Sequence, residues 1–312
     1  MAVHPRRPDV MTRRGAGKLL AAVGGLTAMG TALLSAGCSS EAQRDHRGAH
    51  VPRALPLGRP VRMAWVLGSG GPRGFVHVGV LRALDELGLV PDLIVGASVG
   101  ALVGCLRAAG LSARDIESLA LRVQPWQVAG VAWGADASFQ GGPLAQWVRD
   151  HSPVDRLEAM PLAAACVALR LPERTPVAFT AGDVGLAVQA SAAIEGRFTP
   201  VQLDGVHYVD PDWAAPLPVR LARQLGAQRV LAVDASVYPD RRPEGAESYL
   251  AEDLRKAALV EADATLADLV LKPDIGYWAG LSRAYRERVI DAGYRTTLAS
   301  AQSLRALHDA SP

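Results

Sequence analysis

The chain has 312 residues, 49% hydrophobic and 21% charged, a globular balance with enough apolar material for one large domain or two ordinary ones. Disorder throughout and a multi-span membrane protein are excluded, and three cysteines exclude a disulfide framework. The formal charge of +2 is uneven: residues 1–37 hold five basic residues and one acid, so the remaining 275 carry −2, which gives no case for a nucleic-acid partner.

Arg13, Arg14 and Lys18 precede an uncharged run over residues 19–37, long enough to raise the question of a membrane span. Its Gly and Ala content, basic start and small-residue end fit a signal peptide instead, over residues 1–37. Thr12-Arg13-Arg14 resembles part of a twin-arginine export signal. Leu33-Leu34-Ser35-Ala36-Gly37-Cys38 resembles the bacterial lipoprotein box, with Ser35 where that box usually has Leu. The resemblance implies acylation of Cys38 and a membrane contact through an N-terminal lipid anchor. It also implies a place in the bacterial cell envelope, at the outer membrane or facing the periplasm. Residues 38–60 are polar, basic and proline-containing and read as a flexible tether. The folded domain is expected over 61–312.

Within that domain, short apolar strands alternate with helices. Strands are expected over 61–67 and 92–95, then near 163–169, 176–181, 185–189, 206–209, 229–234 and 269–271. Helices are expected over 73–87 and 99–109, then near 112–121, 142–150, 216–225, 247–266 and 282–299. Apolar strands alternating with helices predict an α/β fold whose central sheet is covered by helices on both faces. Cys105 and Cys166 fall at apolar positions and read as two buried free thiols.

Two strand-to-helix turns carry chemistry. Gly96-Ala97-Ser98-Val99-Gly100 fits a nucleophile elbow, in which a serine sits on a cramped bend and Gly96 and Gly100 make room for it. The bland alternative is a tight turn whose serine only caps the helix. Gly68-Ser69-Gly70-Gly71-Pro72-Arg73-Gly74 leaves backbone N–H groups bare for an oxyanion or a phosphate. A dinucleotide fingerprint fails because Arg73 occupies the third glycine position, and a P-loop fails for want of Gly-Lys-Ser/Thr.

The two turns, with the helix and strand between them, resemble the opening of the patatin-like phospholipase family over residues 65–109. A second resemblance runs through Ala190-Ser191-Ala192-Ala193-Ile194 and Phe198-Thr199-Pro200-Val201 to Asp210 and Pro216-Leu217-Pro218-Val219. Residues 268–296 resemble the family's C-terminal end. The resemblance implies a three-layer patatin-like sandwich with a mostly parallel central sheet. It implies a Ser98–Asp210 dyad, and an oxyanion hole at Gly70, Gly71, Arg73 and Gly74. The family follows its aspartate with glycine; here Pro211 and Asp212 follow, so Asp212 and, less so, Asp204 stand as alternatives.

A Ser–acid–His triad fits less well. His4, His46 and His50 fall in the signal and tether, His77 follows the glycine loop, His308 lies near the end, and His207 precedes the acid. No metal or cofactor is expected. Trp126, Trp133, Phe139 and Trp147 fall within 22 residues, interleaved with glycines, and read either as a mobile cap or lipid-facing patch or as core residues. The expected function is a serine acyl hydrolase of the phospholipase A type acting on a lipid or other acyl ester. The alternative is a non-catalytic envelope lipoprotein of the same fold, used for binding or scaffolding.

Overall fold

The structure, a computed structural model, describes residues 44–132 and 139–309; Cys38, the signal segment and Trp133 lie outside them. The strands are β1 (Asp45–His46), β2 (Met63–Leu67), β3 (Leu93–Ala97), β4 (Gly130–Val131), β5 (Phe139–Gln140), β6 (Ala163–Arg170), β7 (Thr175–Phe179), β8 (Val201–Leu203), β9 (Val206–Val209), β10 (Arg229–Val233) and β11 (Leu269–Leu271). The helices are α1 (Phe75–Glu86), α2 (Val99–Ala108), α3 (Ala113–Arg122), α4 (Pro125–Val128), α5 (Gly142–His151), α6 (Val184–Ser191), α7 (Val219–Gln224), α8 (Leu250–Ala264), α9 (Arg283–Ala299) and α10 (Ala301–Asp309).

Nine strands make one sheet in the order β1-β8-β9-β6-β3-β2-β10-β11, with β7 also on β6. The run β6-β3-β2-β10-β11 is parallel, while β7 and β9 pair antiparallel with β6. Every residue of β2 and β3 is buried, which is why these strands read as unbroken apolar runs. Alternate residues feed two cores. Met63, Trp65, Leu67, Ile94 and Cys166 face α1, α2, α5 and α6. Ala64, Val66, Leu93, Val95 and Val230 face α7 and α8. The result is the expected α/β sandwich of helix, sheet and helix.

On the first face α9 lies along α1 at backbone contact. A Cβ at Gly79 would fall 1.8 Å from the Ile290 carbonyl oxygen, and one at Gly293 would fall 2.2 Å from that of Val76. Cys105 on α2 and Cys166 on β6 are buried free thiols with sulfurs 3.2 Å apart.

Three expectations change. The apolar run at 185–189 is helical, as α6, because Asp183 caps it by accepting the Leu186 N–H at 2.7 Å. Residues buried all round carry no period to separate strand from helix. The segment read as a tether is packed where it is described. Asp45 and His46 pair with β8, Arg53 bridges Ala181, and Val51 is buried. The stretch around His308, beyond the last helix expected from the sequence, is α10, held by buried Leu304. The strand β8, absent from the sequence reading, forms a hairpin with β9 through Asp204 (φ 48°) and Gly205 (φ 82°), the pair a tight two-residue turn requires.

Candidate active site

Ser98 joins β3 to α2 with φ 55° and ψ −122°, a conformation a side-chain-bearing residue holds only when its surroundings force it. Two glycines permit the bend. A Cβ at Gly96 would lie 2.4 Å from the Ala101 nitrogen, and one at Gly100 would lie 2.1 Å from the Leu67 carbonyl oxygen. The Ser98 N–H donates to Ser191 Oγ at 2.8 Å, and that hydroxyl donates to the Val167 carbonyl at 2.5 Å. The serine side chain makes no capping bond to its own helix and is 5% exposed.

Asp210 follows β9 and is 3% exposed. Its backbone (φ −56°, ψ 136°) is the extended form that a following proline imposes, and Pro211 opens a short 3-10 turn, Pro211–Trp213. The proline therefore remakes the turn with the carboxylate still directed inward. The Asp210 N–H donates to the Ala193 carbonyl at 2.9 Å, and its Oδ1 accepts the Asp212 N–H at 2.9 Å. Its Oδ2 is buried with no partner. Burial pushes the Asp210 pKa up to about 7. The neighbouring Ser98 hydroxyl draws it down, although its geometry falls short of a formed hydrogen bond. The Asp212 charge raises it further, while the Asp212 N–H and the Lys256 charge lower it.

Asp212 itself is committed elsewhere. It accepts from Ser69 Oγ and from Lys256 Nζ. Burial works against its charge, but Lys256, Ser69 and Arg255 outweigh burial and hold its carboxyl below the ordinary value. Asp204 lies in the β8–β9 hairpin turn, facing Arg53 at 3.7 Å.

The glycine-rich loop connects β2 to α1. Gly68 donates to the Val233 carbonyl and Ser69 to that of Pro216. Among the described residues, the Gly70 and Gly71 N–H groups donate to nothing, and Gly71 has the positive φ (53°) that suits glycine. Arg73 departs from its expected role: its N–H is spent on the Gly70 carbonyl at 3.1 Å, closing the 3-10 turn. Its guanidinium donates to the Tyr277 carbonyl at 2.8 Å. Gly74 is buried and serves close packing, since a Cβ there would meet Val99 Cγ1 at 2.1 Å.

No histidine among the described residues bonds to Ser98 or Asp210. His77 is buried and places Nε2 2.8 Å from the Gly68 carbonyl. Burial pushes its pKa down to about 4, so at neutral pH the neutral ring donates from Nε2 and steadies the base of the loop. His151 Nδ1 bonds the Trp147 carbonyl and the ring stacks on Trp147. His207 is exposed on β9. Ser191, Ser69 and His77, which lie in or beside the sequence motifs but carry no role there, and Lys256, which carries no signal at all, thus shape the site.

The aromatic group divides. Trp147 is core, whereas Trp126 and Phe139 are 73% and 42% exposed. Other exposed aromatics are Trp213 in the acid turn, under Arg255 of α8, and Tyr249 and Trp278, which meet each other with half-buried Tyr277 also against Trp278. A cavity of about 510 Å³ opens elsewhere, between the β1 segment, α5 and α6, and neither Ser98 nor Asp210 lines it. Among the described residues no helix is long and apolar enough to cross a membrane.

A family model described as patatin-like phospholipase matches residues 65–223, just over half of the chain, taking in the glycine loop, the elbow and the Asp210 turn. The chain belongs to the patatin-like phospholipase family. An uncharacterized NTE family protein of Mycobacterium tuberculosis is 33% identical over 175 residues, 55% of this chain and 48% of that one. The lysophospholipase NTE1 of Saccharomyces cerevisiae is 26% identical over 189 residues, 57% of this chain and 11% of that one. The chain thus matches about half the length of the mycobacterial relative and about a tenth of the yeast one. Among solved structures, VipD from Legionella pneumophila aligns over 82% of this chain and 71% of its own, at 13% identity and a TM-score of 0.45. Pro211, where the resemblance expects glycine, leaves Asp210 with an extended backbone.

Proposed function

We propose that the protein is a serine acyl hydrolase of the phospholipase A type, with Ser98 as nucleophile and Asp210 as general base. The observation that carries this reading is a strained serine neighbouring a buried carboxylate whose Oδ2 has no hydrogen-bond partner. Asp210 takes the Ser98 proton as the serine oxygen bonds to the ester carbonyl carbon. The oxyanion that forms is met by the free N–H groups of Gly70 and Gly71, each such donor being worth roughly 3–4 kcal/mol in comparable hydrolases. Collapse breaks the ester C–O bond, the alcohol leaves with the proton from Asp210, and an acyl-serine remains. Water, deprotonated by Asp210, then bonds to the acyl carbon, and collapse breaks the acyl–Oγ bond, releasing the carboxylic acid as Ser98 Oγ takes the proton back from Asp210.

A lipid ester is the substrate class supported by the family membership, by the name of the yeast relative and by the exposed Trp213 in the acid turn. A fluorophosphonate probe tests the chemistry directly. Labelling of Ser98 is expected, with a rate that rises with pH through about 7 as Asp210 loses its proton, because only the carboxylate can accept the serine proton. No labelling at pH 8 would leave the non-catalytic reading.

We further propose that Cys38 is lipidated, which would hold the site at a membrane surface in the cell envelope. Incorporation of labelled palmitate into the protein made in a bacterium, lost in Cys38→Ala, is the expected result. Equal labelling of both would remove the anchor.

A further inference from the structure

The acid turn and the glycine-rich loop are 143 residues apart in sequence, yet one cluster of charge ties them together. Ser69 Oγ donates to Asp212 Oδ1. Lys256 Nζ, arriving from α8, donates to the same Oδ1 at 2.5 Å, to Ser69 Oγ at 3.1 Å and to the Ser69 carbonyl at 3.3 Å. The neighbouring Arg255 stacks 3.9 Å above the Trp213 ring. It also donates to the carbonyls of Asp212 and Trp213, at 3.2 and 3.3 Å. One face of α8 therefore grips both the turn that carries Asp210 and the residue before Gly70. Each segment holds only one short 3-10 turn, Gly71–Gly74 or Pro211–Trp213, so their relative position depends on such ties.

We propose that Lys256, Asp212 and Ser69 form a clamp that fixes the Gly70 and Gly71 amides relative to the Asp210 carboxylate, which makes Lys256 a positioning residue for the hydrolysis. The proposal rests on the Ser98–Asp210 reading and deepens it. Pro211 opens the 3-10 turn after Asp210, and Asp212, next in that turn, carries its side chain to Ser69 and Lys256. Its two charges act on Asp210 in opposite senses: Asp212 favours the protonated acid and Lys256 the carboxylate. The other groups acting on Asp210 are the Ser98 hydroxyl and the Asp212 N–H. Arg255, 3.7 Å from Asp212 Oδ2, is the second cation on the clamp.

The test measures the pH dependence of kcat/KM on a short-chain ester for the full chain and three variants, each checked for cooperative thermal unfolding. Lys256→Met leaves Asp212 without its closest cation, so the acid limb moves up by about one pH unit. Asp212→Asn leaves Lys256 unopposed, so the limb moves down. The double variant returns the limb toward the wild-type position but keeps the roughly tenfold lower kcat of a loosened loop. Opposite shifts with restoration in the double support the clamp. Limbs that stay put or shift in the same direction, in variants that still turn over, overturn it. Should Lys256→Met not fold, the downward shift in Asp212→Asn decides alone, and its absence overturns the clamp. A wild-type protein that neither turns over nor takes the fluorophosphonate probe overturns the dyad, a different result from a dyad whose pH limb ignores the clamp.

Discussion

Ser98→Ala is expected to abolish ester turnover, with a loss of at least about 10⁴-fold in kcat, because it removes the atom that forms the acyl-enzyme. Asp210→Asn is expected to lose about 10²–10⁴-fold, since an amide of the same shape cannot accept the serine proton. The double variant should be little worse than Ser98→Ala, because the two residues act as one unit. Kinetics on a short-chain ester check all three, and a Ser98→Ala protein that keeps its activity would remove the elbow from the mechanism. Asp210→Asn has a second expected signature. The Asp210 pKa is raised to about 7 from an ordinary 3.8, so between those values the folded state holds a proton the unfolded state has released. Stability contributed by this group is present at low pH and lost as pH rises through that window. Asp210→Asn should flatten that part of the dependence of Tm on pH while it destroys activity, a separation that marks a group kept for chemistry at a cost in stability.

Gly100→Ala is expected to be the most damaging single-methyl change at the elbow. The added carbon would sit 2.1 Å from the Leu67 carbonyl oxygen, 2.6 Å from its carbon and 2.8 Å from the Gly68 oxygen, all backbone of the strand and loop that build the site. No rotamer relieves a clash between main chains, so the first turn of α2 must move away from β2. Overpacking of this kind costs about 3 kcal/mol or more, roughly 6–12 °C in Tm for a domain of this size. Gly71→Ala is the control: its φ of 53° strains any other residue, but nothing lies within 4 Å of the new carbon. It should cost only about 1 kcal/mol. Thermal unfolding of the two variants side by side checks the contrast, and equal losses would mean that the close approach at Gly100 is not what shapes the bend.

What could be read from the sequence was local. The elbow, its strand and its helix lie within sixteen residues, and each is specified by neighbours in the chain: an apolar run, glycines at fixed offsets, then an apolar helix. Asp210 was reachable through the resemblance, and the extended backbone that Pro211 enforces follows from proline chemistry alone. The run at 185–189 misled because every residue of α6 from Val184 to Val188 is buried, and only the Asp183 cap betrays the helix. Packing of the segment before residue 60 was invisible because a polar stretch paired to a sheet edge looks like a polar stretch in water. Lys256 and Ser191 were illegible for another reason. Ser191 meets Ser98 across 93 positions, and Lys256 meets Asp212 and Ser69 across 44 and 187, and no periodicity encodes such meetings.

The Ser191 bond also has a mechanical side. It fastens the strained bend at Ser98 to the last residue of α6, a rod of eight residues and so roughly 12 Å long. The opposite end of that rod is pinned at Asp183, which Arg149 holds by two bonds of 2.8 and 3.0 Å. A half-buried ion pair far from the elbow is therefore linked through one helix to Ser98, and variation there belongs with changes of rate as much as with changes of stability.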